Sequence, residues 1–180
     1  MTLTRRIFTI LLPAALLLLP AAPAWSTAQI PEKILYEGES GSLLTNPLES
    51  YFGKDNPRPE FAAPHTACWR GYIGSWEIRE DTLYLVDITA WMKDGSGRSV
   101  PVEFETLFPG KTKPMKADWF TGTLRIPRGK PIRYVHMGYQ TVYEEEVHLR
   151  IEAGKVADRQ RIDNRNKVRT APPAPSIQDP

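Results

Sequence analysis

Tyr143-Glu144-Glu145-Glu146-Val147-His148-Leu149-Arg150-Ile151-Glu152 is the stretch that decides the fold. From Val147 onward apolar and polar residues alternate. Val147, Leu149 and Ile151 fall on one face, and His148, Arg150 and Glu152 on the other. A period of two belongs to a strand with one face against a core. Ala153-Gly154 then reads as a turn, and residues 155–162 as the returning strand.

Working outward, the same signals recur upstream. Residues 132–137 read as a strand interrupted at Gly138, and residues 117–126 as a strand closed by a Pro127-Arg128-Gly129 turn. Residues 70–79 and 82–90 are rich in aromatic and β-branched side chains, and Glu80-Asp81 between them reads as a tight hairpin. In the second of these strands Tyr84, Val86 and Ile88 share one face, with Leu83 and Leu85 on the other. Such a strand is expected to be covered on both sides near its start. Asp94-Gly95-Ser96-Gly97 is a turn. Residues 102–108, apolar at 104, 107 and 108, are expected to form the one short helix, ending at Pro109.

The chain between 29 and 65 is interrupted by Pro31, Gly38, Gly41, Pro47, Gly53, Pro57, Pro59 and Pro64. It supports short strands at 34–37 and 42–44, followed by a long loop. Strands separated by turns every 8–12 residues or so predict a mainly β, single-domain antiparallel meander, closed as a β-barrel or folded as a β-sandwich. The domain is expected to span residues 29–162. Residues 163–180 have little apolar content and carry Pro172, Pro173, Pro175 and Pro180, which predicts a disordered tail.

The amino terminus carries a different message. Thr4-Arg5-Arg6 precedes an apolar run from Ile7 to Leu19 and a small-residue stretch reaching Ala28, the pattern of a secretory signal peptide over residues 1–28. Ala22/Ala24, Ala24/Ser26 and Ser26/Ala28 all satisfy the small-residue rule, so cleavage is expected between Ala24 and Gln29. Pro13, Pro20 and Pro23 break the run, which argues against a retained membrane anchor. The paired arginines also resemble a twin-arginine signal. Export makes the expected location periplasmic or secreted.

Composition narrows the function. Losing Arg5 and Arg6 with the leader takes the formal net charge from +2 to zero, so a nucleic-acid partner is not expected. Cys68 is the single cysteine, which excludes an intramolecular disulfide. Five Trp, seven Tyr and six Phe must therefore supply much of the packing.

No catalytic pattern stands out, so an enzyme is not the leading expectation. His65-x-x-Cys68 with a distant His136 could in principle offer three ligands for zinc, but no second spaced pair exists and His148 falls on the polar face of a strand, so no metal or other cofactor is expected. Glu145-x-x-His148 would need a helix to bring its members together, whereas a strand sets them on opposite faces. Glu77, Asp87 and Asp118 are the carboxylates that a glycosidase reading would have to bring together. The remaining cluster is aromatic and polar: Trp69, Arg70 and Tyr72, then Trp119, then His136, Tyr139 and Tyr143. These side chains suit protein hot spots or sugar stacking. Gly138 suggests a bend that pushes Tyr139 outward, and Arg70 is alternatively a core-rim arginine stacked on Trp76. The leading expectation is an exported factor that binds another protein of the cell envelope, of the inhibitor, immunity or envelope-accessory kind. A carbohydrate-binding module or small cell-wall hydrolase is the alternative, and a lipocalin-like carrier the third.

Overall fold

The structure, a computed structural model, describes residues 29–135 and 139–168. Residues 1–28, where a signal peptide is expected, residues 136–138 with His136 and Gly138, and residues 169–180 of the expected tail lie outside the described residues. Strands dominate: β1 (Glu32–Tyr36), β2 (Glu39–Leu43), β3 (Tyr72–Arg79), β4 (Thr82–Lys93), β5 (Ser99–Val102), β6 (Met115–Lys116), β7 (Gly122–Arg133), β8 (Val142–Glu152) and β9 (Lys155–Asp163). The helices are single turns, α1 (Phe104–Leu107) and α2 (Arg165–Val168), with 3-10 turns at Pro47–Ser50 and Thr66–Cys68.

The strands form one sheet in the order β2-β1-β3-β4-β9-β8-β7, with β5 and β6 also pairing to β4. Three hairpins set its register. Glu37-Gly38, Glu80-Asp81 and Ala153-Gly154 each place two successive residues at positive φ, the geometry whose twist matches that of the flanking strands. Glu80 and Asp81 adopt it without a glycine.

Several expectations change. The sheet is mixed rather than antiparallel, because β1 runs parallel to β3, with Ile34 opposite Trp76. The long segment from 44 to 71 makes that possible, by carrying the chain from β2 back to the start of β3. The path is open. Residues just after β2 meet β7 through Leu44 N–H donating to the Arg125 carbonyl (2.8 Å), but no ladder joins β2 to β7 among the described residues.

Pro127-Arg128-Gly129 is not a turn. It lies inside β7, which runs on to Arg133 with irregular register after Arg128. β7 ends the sheet path, so Pro127, which has no N–H, is tolerated there. Gly129 takes φ +72°, and a Cβ there would collide with the Glu144 carboxylate. The strand expected from 117 begins only at Gly122, and the one expected from 70 begins at Tyr72. The chain also continues past Ile162: Asp163 ends β9, Asn164 is buried and hydrogen-bonds the Tyr143 carbonyl, and α2 follows.

The core lies on the inner face. Ile34, Trp76, Leu85, Leu124, Ile126, Leu149 and Ile151 fill it, joined by Phe104 from α1 and Leu48 from the 3-10 turn. The alternation read for β8 holds, with Val147, Leu149 and Ile151 all buried.

Candidate functional site

Period two in β1 puts Glu32 on the same face as Ile34 and Tyr36, and that face is the core. Glu32 is accordingly 0% exposed. Its Oε2 accepts a hydrogen bond from Trp76 Nε1. Its Oε1 lies 3.7 Å from Arg70 Nε, and neither of those two atoms has a hydrogen-bond partner. Burial is the largest influence on Glu32 and lifts its pKa to about 7, against the opposing pull of the Trp76 N–H and the Arg70 charge. Gly74 makes the contact possible: a Cβ there would sit 2.6 Å from Trp76 Nε1 and 2.7 Å from Glu32 Oε2.

Arg70, 3% exposed, ties three separate parts of the chain together. One terminal nitrogen donates to the Ile30 carbonyl (2.8 Å) and the other to Tyr139 Oη (2.8 Å). The guanidinium stacks on Tyr72, 5.4 Å from the ring centre, rather than on Trp76. Tyr139 Oη donates onward to Asn46 Oδ1 (2.9 Å). Tyr139 therefore turns inward, not outward as its neighbour Gly138 suggested, because Arg70 offers its hydroxyl a buried charged donor. Burial raises the Tyr139 hydroxyl to about pKa 12 despite the nearby Arg70 charge.

Tyr72 is fully buried, which removes it from any recognition surface; its hydroxyl donates to Glu49 Oε1 (2.8 Å). Burial, reinforced by Glu32 and Glu49, pushes that phenol upward in pKa. Cys68 is also fully buried, its thiol donating to the Tyr72 carbonyl (3.5 Å), and burial raises its pKa.

A second polar knot lies across β7 and β8. Arg125 grips Glu146 in a bidentate pair (2.9 and 3.1 Å) and donates to the Tyr139 carbonyl (3.0 Å). His148 Nε2 lies 2.8 Å from the same carboxylate. Tyr139 thus joins both knots, through its hydroxyl in one and its carbonyl in the other. Sequence reasoning missed Glu32, Arg125 and Glu146. The signal for Glu32 was present in its spacing from Ile34 and Tyr36.

The sequence-predicted cluster divides. Arg70, Tyr72 and Tyr139 come together, with Trp69 beside them. Trp119 packs on Tyr51 (4.7 Å between ring centres) and donates to the Pro47 carbonyl (3.2 Å), so it serves the core. Tyr143 stands elsewhere, opposite Pro131 on β8. The carboxylates of the glycosidase reading are each engaged by a different cation: Glu77 by Arg79, Asp87 by Lys113 and Asp118 by Lys116.

Trp69 is the outlier. It is 67% exposed, between fully buried Cys68 and nearly buried Arg70. Its backbone N–H donates to Gln29 Oε1 (3.3 Å), and the Gly71 N–H closes the turn onto the Cys68 carbonyl (3.0 Å). Gly71 takes φ +78°, and a Cβ there would press to 2.7 Å from Phe61 Cβ. An exposed indole is therefore carried on a tightly held backbone. No protein-family model, curated protein or solved structure matches this chain.

Proposed function

We propose that this chain is an exported β domain that binds another protein of the cell envelope through a face centred on Trp69, acting as an inhibitor, immunity or envelope-accessory factor. The observation that carries this reading is Trp69 itself, a large apolar side chain exposed on a segment locked by buried Arg70 and Cys68. A rigid aromatic anchor loses little conformational entropy on docking, and covering an indole releases about 2–3 kcal/mol of hydrophobic free energy. The leader of residues 1–28 supports export. The close approach of Leu44 to Arg125 supports a barrel-like wrap of the sheet, whose filled interior favours surface binding over a lipocalin-like carrier.

The test is a pull-down from periplasmic extract with the wild-type protein and Trp69→Ala as paired baits. One stoichiometric partner is expected with the first and not with the second. Equal recovery by both baits, or none by either, overturns the reading. The same exposed ring would also stack on a sugar. That second reading requires soluble glycans to quench tryptophan fluorescence in the wild type and not in Trp69→Ala.

A further inference from the structure

The sheet begins to close on itself between β2 and β7, and then stops. Tyr36 and Glu39 flank the two-residue turn Glu37-Gly38, so Glu39, Gly41 and Leu43 spend their backbone groups on β1. Ser40, Ser42 and Leu44 face the other way, and the Leu44 N–H reaches the Arg125 carbonyl (2.8 Å). Arg125 faces back across the same seam, its N–H donating to Thr45 Oγ1 (3.0 Å). Two residues further along β7 stands Pro127, the counterpart of Ser42 in an antiparallel register. Proline has no N–H to give. Among the described residues no backbone bond joins Ser40 or Ser42 to β7.

Beyond that point a side chain spans the seam. Arg128 lies over Gly41, its guanidinium 3.9 Å from where a Cβ would stand, and pairs with Glu39 (2.7 Å). A cleft of about 240 Å³ opens here, lined by Glu37 and Glu39 from the β1–β2 hairpin and by Arg128 and Arg161 from β7 and β9. The Glu39 side chain is 69% exposed, so its ion pair is weak and readily exchanged.

The free edge of β2 is bare. Ser40-Gly41-Ser42 carries neither lysine nor proline, the residues that commonly guard an edge. Its outward N–H and C=O groups recur at every second residue, a spacing that another extended backbone matches. We propose that the β2 side of this seam takes an extended, basic segment of another protein as an added strand, whose lysine or arginine replaces Arg128 on Glu39. Displacing Arg128 leaves Glu39 in need of a cation. A second copy presenting its own β2 supplies none, because Glu39–Leu43 contains no basic residue. The seam shares no residue with the Trp69 segment, and the inference does not rest on the reading above.

The experiment is selection of displayed random nonapeptides on the protein purified from expression of the full chain, followed by fluorescence anisotropy with the selected peptides. They are expected to carry lysine or arginine. Ser42→Pro removes an N–H that has no acceptor among the described residues, at an edge where proline is tolerated. It should leave the thermal midpoint unchanged and weaken binding about tenfold, as should Glu39→Gln, whereas Trp69→Ala should not. Pro127→Val returns an N–H opposite Ser42, and should close the seam and weaken binding likewise. Equal binding by wild type and Ser42→Pro, or by wild type and Glu39→Gln, overturns the proposal. So does a selection that yields no binder, or only binders lost in Trp69→Ala.

Discussion

Glu32→Gln should stabilise this protein at neutral and alkaline pH, although it removes one member of a buried ion pair. The reasoning starts from geometry. Arg70 spends its terminal N–H groups on Ile30 and Tyr139, and its Nε stays 3.7 Å from Glu32 Oε1, outside hydrogen-bond range. The pair thus keeps the desolvation cost of two buried charges without the N–H···O contact that offsets it. Glu32 consequently binds its proton more tightly folded, at about pKa 7, than unfolded, near 4.5.

The sign follows from linkage. Between those two values the folded state holds a proton that the unfolded state has released. Stability from this group is full below about pH 4.5 and is lost as pH rises through 7. A shift of that size amounts to about 3 kcal/mol across the window. Glutamine is neutral like the protonated acid, and its carbonyl can keep the Trp76 hydrogen bond; its amide faces the Arg70 Nε–H donor to donor, a cost that does not vary with pH. Urea unfolding of wild type and Glu32→Gln at steps from about pH 4 to pH 8 isolates the group, since every other titration is shared. The difference in unfolding free energy should move toward the variant by about 3 kcal/mol as pH rises. A difference that stays flat, or that moves toward the wild type at pH 8, would show that the Arg70 attraction outweighs burial.

Other substitutions probe the same framework. Gly74→Ala drives a methyl into Trp76 Nε1 and Glu32 Oε2, and should cost about 2–3 kcal/mol, read as a lower thermal midpoint at unchanged secondary structure. Replacing Glu80-Asp81 by Asn-Gly relieves two positive-φ residues and should raise stability by about 1 kcal/mol after the loss of the exposed Asp81–Arg159 pair, seen as a higher urea midpoint. Arg125→Met strips buried Glu146 of its bidentate partner and releases the Tyr139 carbonyl. It should cost about 3 kcal/mol and speed proteolysis between Tyr134 and Thr141. Cys68 should resist thiol reagents in the native protein and react stoichiometrically in denaturant, as a buried thiol with a raised pKa requires.

The local grammar of the fold was legible because it rests on short-range physics. Alternation at Val147, Leu149 and Ile151, and the turn pairs Glu80-Asp81 and Ala153-Gly154, act within a few residues, and each appears in the structure. What spacing could not reveal was decided over long distances. The parallel pairing of β1 with β3 depends on where a long breaker-rich segment returns the chain, which no local pattern encodes. Pro127-Arg128-Gly129 carries a genuine turn composition, but Glu146 and Glu145 across the ladder keep Pro127 and Arg128 in the strand, and only Gly129 departs from it, at φ +72°.

The polar site shows the same division. Trp69 and Arg70 are adjacent and were grouped by type, yet one points to solvent and the other into the core. What separates them is the set of buried partners that Arg70 meets, the Ile30 carbonyl, the Tyr139 hydroxyl and the Tyr72 ring, all distant in sequence or hidden in the core. The segment 66–71 turns the guanidinium inward to those partners, and the indole beside it stays outside. On this reasoning the buried arginine positions the exposed ring. Arg70→Met should then disturb partner binding as strongly as Trp69→Ala, while Arg58→Met, which removes a donor to the Arg70 carbonyl but leaves the ion pair intact, should affect it far less.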